Sequence, residues 1–107
     1  MSDFLQIVTT TEHQQDARRI ADLLVDKHLA ACVQIVGPIT SVYRWQGKVE
    51  STQEWQCLIK THQRRFDEVA HAIRAVHPYE VPEIIALSIV AGSPDYLAWL
   101  EEQVAPE

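Results

Sequence analysis

The sequence predicts an α+β domain with its elements in the order β-α-β-β-α-β-α, and three observations lead there. Apolar residues recur at helical three- and four-residue steps in three stretches, 12–28, 66–76 and 95–104. Runs rich in β-formers alternate with them at 4–9, 29–45, 49–61 and 84–89. Gln46-Gly47 lies between the second and third of these runs and suits a tight hairpin turn.

Residues 4–9, with Ile7 and Val8, form a short apolar run ending in Thr9-Thr10-Thr11, so a strand passes into a helix N-cap there. Thr11 and Gln14 have capping-box spacing. Ala17, Ile20, Ala21 and Leu24 give the helix over 12–28 one apolar face, with Asp16, Arg18, Arg19, Asp26 and Lys27 between them. The next run, 29–36, breaks at Gly37-Pro38 and resumes over 39–45. Proline lacks an amide donor and glycine tolerates a bulge, so this is one long strand with a kink. Residues 49–61 return with Val49, Trp55, Cys57 and Ile59 at alternate positions. Phe66, Val69, Ala70, Ile73 and Val76 mark a second helix, which stops before Pro78 because a residue preceding proline avoids the α region. The compact apolar run at 84–89 predicts a strand buried on both faces, central or covered. Gly92-Ser93-Pro94 supplies a break, an N-cap and a first-turn proline for a helix over 95–104 with Leu97, Leu100 and Val104 on one side.

Elements in that order make a ferredoxin-like βαββαβ sandwich with an extra C-terminal helix and a long hairpin between its second and third strands. The 107 residues fit a single domain over 1–107, and 47% apolar residues with three Gly and five Pro describe an ordered chain. A formal net charge of −6 repels phosphate backbones and the basic residues are scattered, so no nucleic-acid partner is expected. Met1-Ser2-Asp3-Phe4 lacks the pattern of a signal peptide, and no apolar run approaches the roughly 18 residues of a membrane span. A cytoplasmic protein with no membrane partner is the expectation. Cys32 and Cys57 fit a reducing compartment as free thiols.

The hairpin is long for one protomer. Its arms, 31–45 and 48–62, would each span on the order of 45–50 Å if unbroken, whereas a helix of a dozen residues covers roughly 18 Å. Much of it then projects past the helices while carrying Val42, Tyr43, Trp45, Val49 and Trp55, and such edges attract further strands unless a partner covers them. A closed homo-oligomer, each hairpin pairing with a neighbour's sheet edge, is the economical arrangement. The alternative is a shorter hairpin folded back at Gly37-Pro38.

Three stretches then carry a resemblance: LAACV at 29–33, TSVYRWQGK at 40–48 and HPYEVPEI at 77–84, with YLAWL following at 96–100. Over nearly the whole chain, and in the right order, the sequence resembles the CutA divalent-cation tolerance family. The resemblance implies a cytoplasmic, ferredoxin-like homotrimer built by β-pairing between subunits, with a role in tolerance of divalent metal ions, chiefly copper. It also implies a copper site made by a cysteine ending the first strand and two successive histidines before the loop proline. Here those positions hold Thr9, Val76 and His77, so His77 alone is kept. Cys32 matches a further cysteine common in the family, and a thiolate suits Cu(I).

The five His, two Cys and fifteen acids form no Cys-x-x-Cys, no His-x-x-x-His on a helix and no EF-hand loop. His13, His28, His62 and His71 fit solvated helix ends and faces. The metal candidates are therefore His77, on the loop, and Cys32, which equally fits a small buried side chain. Copper or another divalent cation would be held weakly, with no tightly bound cofactor. If no bulge interrupts the hairpin, Cys57 lies opposite Val36 and Cys32 opposite Thr61, which keeps the thiols roughly 13 Å apart.

The second candidate site is a small-molecule cleft of Tyr43, Trp45, Lys60, Tyr79 and Glu83, which combines aromatic faces with a cation, an anion and two phenols. It is expected between subunits, where one hairpin approaches the next subunit's 77–83 loop, by analogy with PII-like trimers that bind nucleotides. A trimeric sensor or partner-binding module is thus the alternative to a metal-tolerance role. In the plainer reading the aromatics glue subunits together and Lys60 pairs with an acid. No glycine-rich phosphate loop, nucleophile elbow or Ser or Cys with an evident His partner is present, so no enzymatic activity is expected.

Overall fold

The computed structural model describes residues 3–106; Met1, Ser2 and Glu107, the ends of the expected domain, lie outside the described residues. The elements are β1 (Phe4–Thr11), α1 (Gln14–Asp26), β2 (Cys32–Trp45), β3 (Lys48–His62), α2 (Phe66–Val76), β4 (Ile85–Ser88) and α3 (Pro94–Val104), with a 3-10 turn at Gln63–Arg65. They follow the expected order. The four strands form one sheet in the order β2-β3-β1-β4, with every neighbouring pair antiparallel. Among the described residues, no helix is long and apolar enough to cross a membrane.

β1 is longer than its apolar run, because the β-branched Thr10 and Thr11 continue the ladder opposite Gln56 and Trp55. This displaces the expected capping box. Thr11 donates its hydroxyl to the His13 carbonyl at 2.8 Å, and the N-cap is His13, which makes no side-chain cap. At the other end of α1, His28 takes the left-handed conformation, with φ 58°, and the amides of Leu29 and Ala30 return to the Leu24 carbonyl. The helix therefore stops at Asp26, and β2 starts only at Cys32.

One face of the sheet carries Ile7, Cys57 and Ile59 against Ala17, Ile20 and Leu24 of α1 and Val69 and Ile73 of α2, and all of these are buried. The opposite, outer face is covered at one end by α3. His62 lies on it and comes within 3.8 Å of Glu101, Arg65 Nε donates to the Val104 carbonyl at 2.9 Å, and Leu100 and Val104 are fully buried.

The hairpin closes through Gln46 and Gly47, whose φ values of 50° and 80° are both left-handed, between the pair Trp45 and Lys48. That is a type I′ turn, whose twist matches the strands it joins. Farther back, Val36 pairs with Gln56 and Ile39 with Glu54, so Gly37 and Pro38 together face Trp55 in a two-against-one bulge. The bulge corrects the expected register. Cys32 pairs with Lys60 instead of Thr61, and Cys57 with Ile35 instead of Val36. A one-residue shift changes faces, so Cys57 points into the core with no exposure, Cys32 points to the outer face, and both thiols are free.

Beyond Trp55 the sheet narrows to the β2–β3 ribbon, which helps give the molecule extents of 44 × 25 × 21 Å. The expectation for the last strand is also corrected. Among the described residues β4 is a sheet edge paired with β1 alone, and all four of its residues are exposed.

Candidate functional site

The ribbon leaves the sheet at the end of β1, and the loop from α2 to β4 rounds the same corner. α2 ends where His77, ahead of Pro78, takes extended angles. The His77 ring is buried against β1, with Nε2 2.8 Å from the Thr10 carbonyl and Nδ1 3.1 Å from the Tyr79 amide. An amide N–H can only donate and a carbonyl can only accept, so Nε2 carries the proton and Nδ1 accepts. The Tyr79 ring lies 4.7 Å from that of His77, and its phenol donates to Glu54 Oε2 at 2.7 Å.

Glu54 sits just past the bulge, paired with Ile39. Alternation from there places Ser41, Tyr43 and Trp45 on its side of the ribbon, because directly paired residues share a face. Thr52 reinforces this side with a 3.4 Å contact from its hydroxyl to the Tyr43 phenol. Between ribbon and loop lies an open cavity of about 530 Å³, lined by Tyr43 and Trp45 from β2, Glu54 from β3, and Tyr79, Glu80 and Glu83 from the loop. Burial first, then the hydrogen bond to Glu54 and that residue's charge, with smaller effects of Glu12 and Tyr43, push the Tyr79 phenol well above the usual tyrosine range.

Four residues singled out in the sequence, Tyr43, Trp45, Tyr79 and Glu83, thus come together, and they do so within one protomer. Lys60 does not join them. It lies six residues along β3 from Glu54, roughly 20 Å at strand spacing. Its ammonium donates to Gln34 Oε1 at 2.6 Å, so it pairs with an amide and not with an acid. The cation expected in the cleft is therefore replaced by further acids, Glu54 and Glu80. Sequence reasoning missed Glu54 although the signal was present: the register set by the Gln46-Gly47 turn already pairs it with Ile39 and so puts it on the side of Tyr43 and Trp45, ahead of the bulge.

The metal candidates are placed apart. His77 is buried although it opens the loop, and both its ring nitrogens are engaged. Cys32 is half-buried at the far end of the sheet, next to Tyr96, whose phenol is raised by burial and, less, by that thiol. Thr9 is fully buried with its hydroxyl unpartnered, and Val76 packs against the core. Among the described residues no three His, Cys, Asp or Glu side chains are grouped to hold a metal ion. These donors do not fit a resident copper centre.

A family model described as "CutA1 divalent ion tolerance protein" matches residues 5–103. The divalent-cation tolerance protein CutA of Thermus thermophilus is 47% identical over 96 residues, covering 90% of this chain and 93% of that protein. The chloroplastic protein CutA of Arabidopsis thaliana is 42% identical over 95 residues, 89% of this chain but 52% of its own, so the chain spans about half that relative's length. The solved structure of the periplasmic divalent cation tolerance protein CutA from Archaeoglobus fulgidus matches with a TM-score of 0.92 at 39% identity, over 94% of this chain and 98% of that one.

Proposed function

The chain belongs to the CutA1 divalent ion tolerance family, and from that premise we propose that it serves in tolerance of divalent metal ions, copper among them, as a homotrimer of ferredoxin-like protomers that binds metal weakly and catalyses no reaction. The observation that carries weak binding is the state of His77. A metal at Nδ1 displaces the Tyr79 amide, and one at Nε2 displaces the contact to the Thr10 carbonyl. Leaving a buried group unpaired costs about 1–3 kcal/mol. Cys32 alone leaves most of a coordination sphere to water.

The trimer is supported by what one protomer leaves uncovered. Val36, Val49, Ile85 and Leu87 are between 42% and 65% exposed, and β2 and β4 are open edges. Apolar surface beside free strand edges calls for a partner, and a second copy brings the complementary edge. The relatives named above include a chloroplastic and a periplasmic protein. A cytoplasmic setting here rests on the two free thiols.

The test has two parts. Light scattering is expected to give a mass near three times 12.2 kDa. Competition for copper against a chelator of known affinity is expected to show weak binding. Tight stoichiometric binding that survives both His77→Ala and Cys32→Ser overturns the reading. One observation, the cavity, favours a second reading as a small-molecule sensor, which a thermal-shift screen against metabolites tests.

A further inference from the structure

The cavity is lined by charge of one sign. Glu54 is only 6% exposed; the Tyr79 phenol satisfies Oε2, and its other oxygen has no partner among the described residues. Glu80 and Glu83 stand exposed on the loop side, and among the described residues no Lys, Arg or His lines the space. Tyr43, Trp45 and Tyr79 add three aromatic rings, whose negative faces attract cations. A carboxylate with one oxygen open to the cavity and no counter-charge in the lining attracts a positively charged ligand. The same lining repels phosphates, which removes the nucleotide analogy. It does not suit a metal ion either, because among the described residues no three His, Cys, Asp or Glu side chains are grouped to share one, and the Tyr79 phenol is engaged with Glu54. Separated carboxylates joined by aromatic surface match separated positive charges joined by methylenes. The volume of about 530 Å³ is that of a small-molecule site.

We propose that this cavity binds an aliphatic polyamine, with one ammonium group at Glu54, another at Glu80 or Glu83, and the hydrocarbon chain against Tyr43, Trp45 and Tyr79. The proposal rests on the second reading above and gives its ligand a chemical class.

Spermidine titrated calorimetrically into the full-length protein at low and at high salt tests it, with ATP, choline and magnesium chloride as parallel titrants. Saturable spermidine binding that weakens with salt is expected. A hydrogen bond to a charged group corresponds to roughly tenfold in affinity, so Glu54→Gln is expected to weaken binding by about that factor. Trp45→Ala is expected to weaken it too, whereas Asp26→Asn, on α1 away from the cavity, leaves it unchanged. Should Glu54→Gln not fold, the double variant Glu80→Gln/Glu83→Gln carries the same expectation. No spermidine binding, or equal loss in Asp26→Asn, overturns the proposal, and so does magnesium or choline binding there more tightly than spermidine. ATP binding that depends on Trp45 without spermidine binding overturns the polyamine but keeps the cleft. No Trp45-dependent binding of any titrant overturns both.

Discussion

Tyr79 donates a 2.7 Å hydrogen bond to Glu54, and this contact ties the loop after α2 to the strand that leaves the sheet. Tyr79→Phe removes one oxygen and leaves the buried carboxylate without its donor. Urea denaturation is expected to show a loss of about 1–3 kcal/mol, the cost of an unpaired buried acceptor. No loss would mean that water replaces the phenol and that the loop is held by His77 alone.

The same phenol gives stability an alkaline limb. Its pKa is raised in the folded protein by burial and by Glu54, while the unfolded chain has the ordinary value of about 10. The folded state therefore holds this proton more tightly. Its contribution is fully present below about pH 10 and is lost as pH rises through the raised folded value. Denaturation from pH 8 to 11 should fall more steeply for the wild type than for Tyr79→Phe. Parallel curves would contradict the shift.

How far the sequence reaches shows at particular residues. Gln46-Gly47 marks the hairpin because few dipeptides accept two left-handed residues, and both take that conformation. The register behind the kink lies beyond reading, since one extra residue at Gly37-Pro38 reverses the facing of the β2 residues behind it and so puts Cys32 on the opposite face from Cys57. Pattern alone cannot tell a strand buried by its own helices from an apolar edge, and β4 is the latter. Tyr43, Trp45, Tyr79 and Glu83 were legible as residue types, yet Lys60 belongs elsewhere because a fixed strand length, not chemistry, sets its distance.

Thr9 offers a gain in stability. It faces the core opposite Cys57, fully buried, with an unpartnered hydroxyl. Valine has nearly the same shape and keeps the β-branch. Thr9→Val is expected to raise stability by about 1 kcal/mol, the cost of burying a hydroxyl that makes no bond. A lower melting temperature would show that the hydroxyl is in fact satisfied.

Gly37 and Gly47 separate steric from conformational cost. A Cβ at Gly37 meets the Trp55 ring at 2.6 Å and the Glu54 carbonyl at 3.1 Å, while one at Gly47 meets nothing within 4 Å but sits at φ +80°. Gly47→Ala should cost about 1 kcal/mol from the left-handed backbone. Gly37→Ala should cost about 1–3 kcal/mol from overpacking and also weaken any ligand in the cavity, because it pushes on the residue beside Glu54. Equal costs with an unaffected cavity would mean that the bulge relaxes freely.

Cys57 supplies a probe of opening. Its thiol lies in the core with no exposure, 3.7 Å from the Ala17 carbonyl, and burial pushes its pKa up to about 11. The thiolate is the reactive form, so at neutral pH the group is protected twice, by access and by protonation. In a Cys32→Ser background, a thiol reagent should label Cys57 only as fast as the core opens, and labelling should accelerate in urea along the unfolding curve. The raised pKa also means that this group's contribution to stability is present below about pH 9 and lost as pH rises through about 11. Because β2 lies between Cys57 and the outer edge of the sheet, fraying of that edge alone exposes Ile35 before it exposes the thiol. Rapid labelling of the folded protein would therefore place the least stable part of the molecule at the α1–sheet contact instead of in the projecting ribbon.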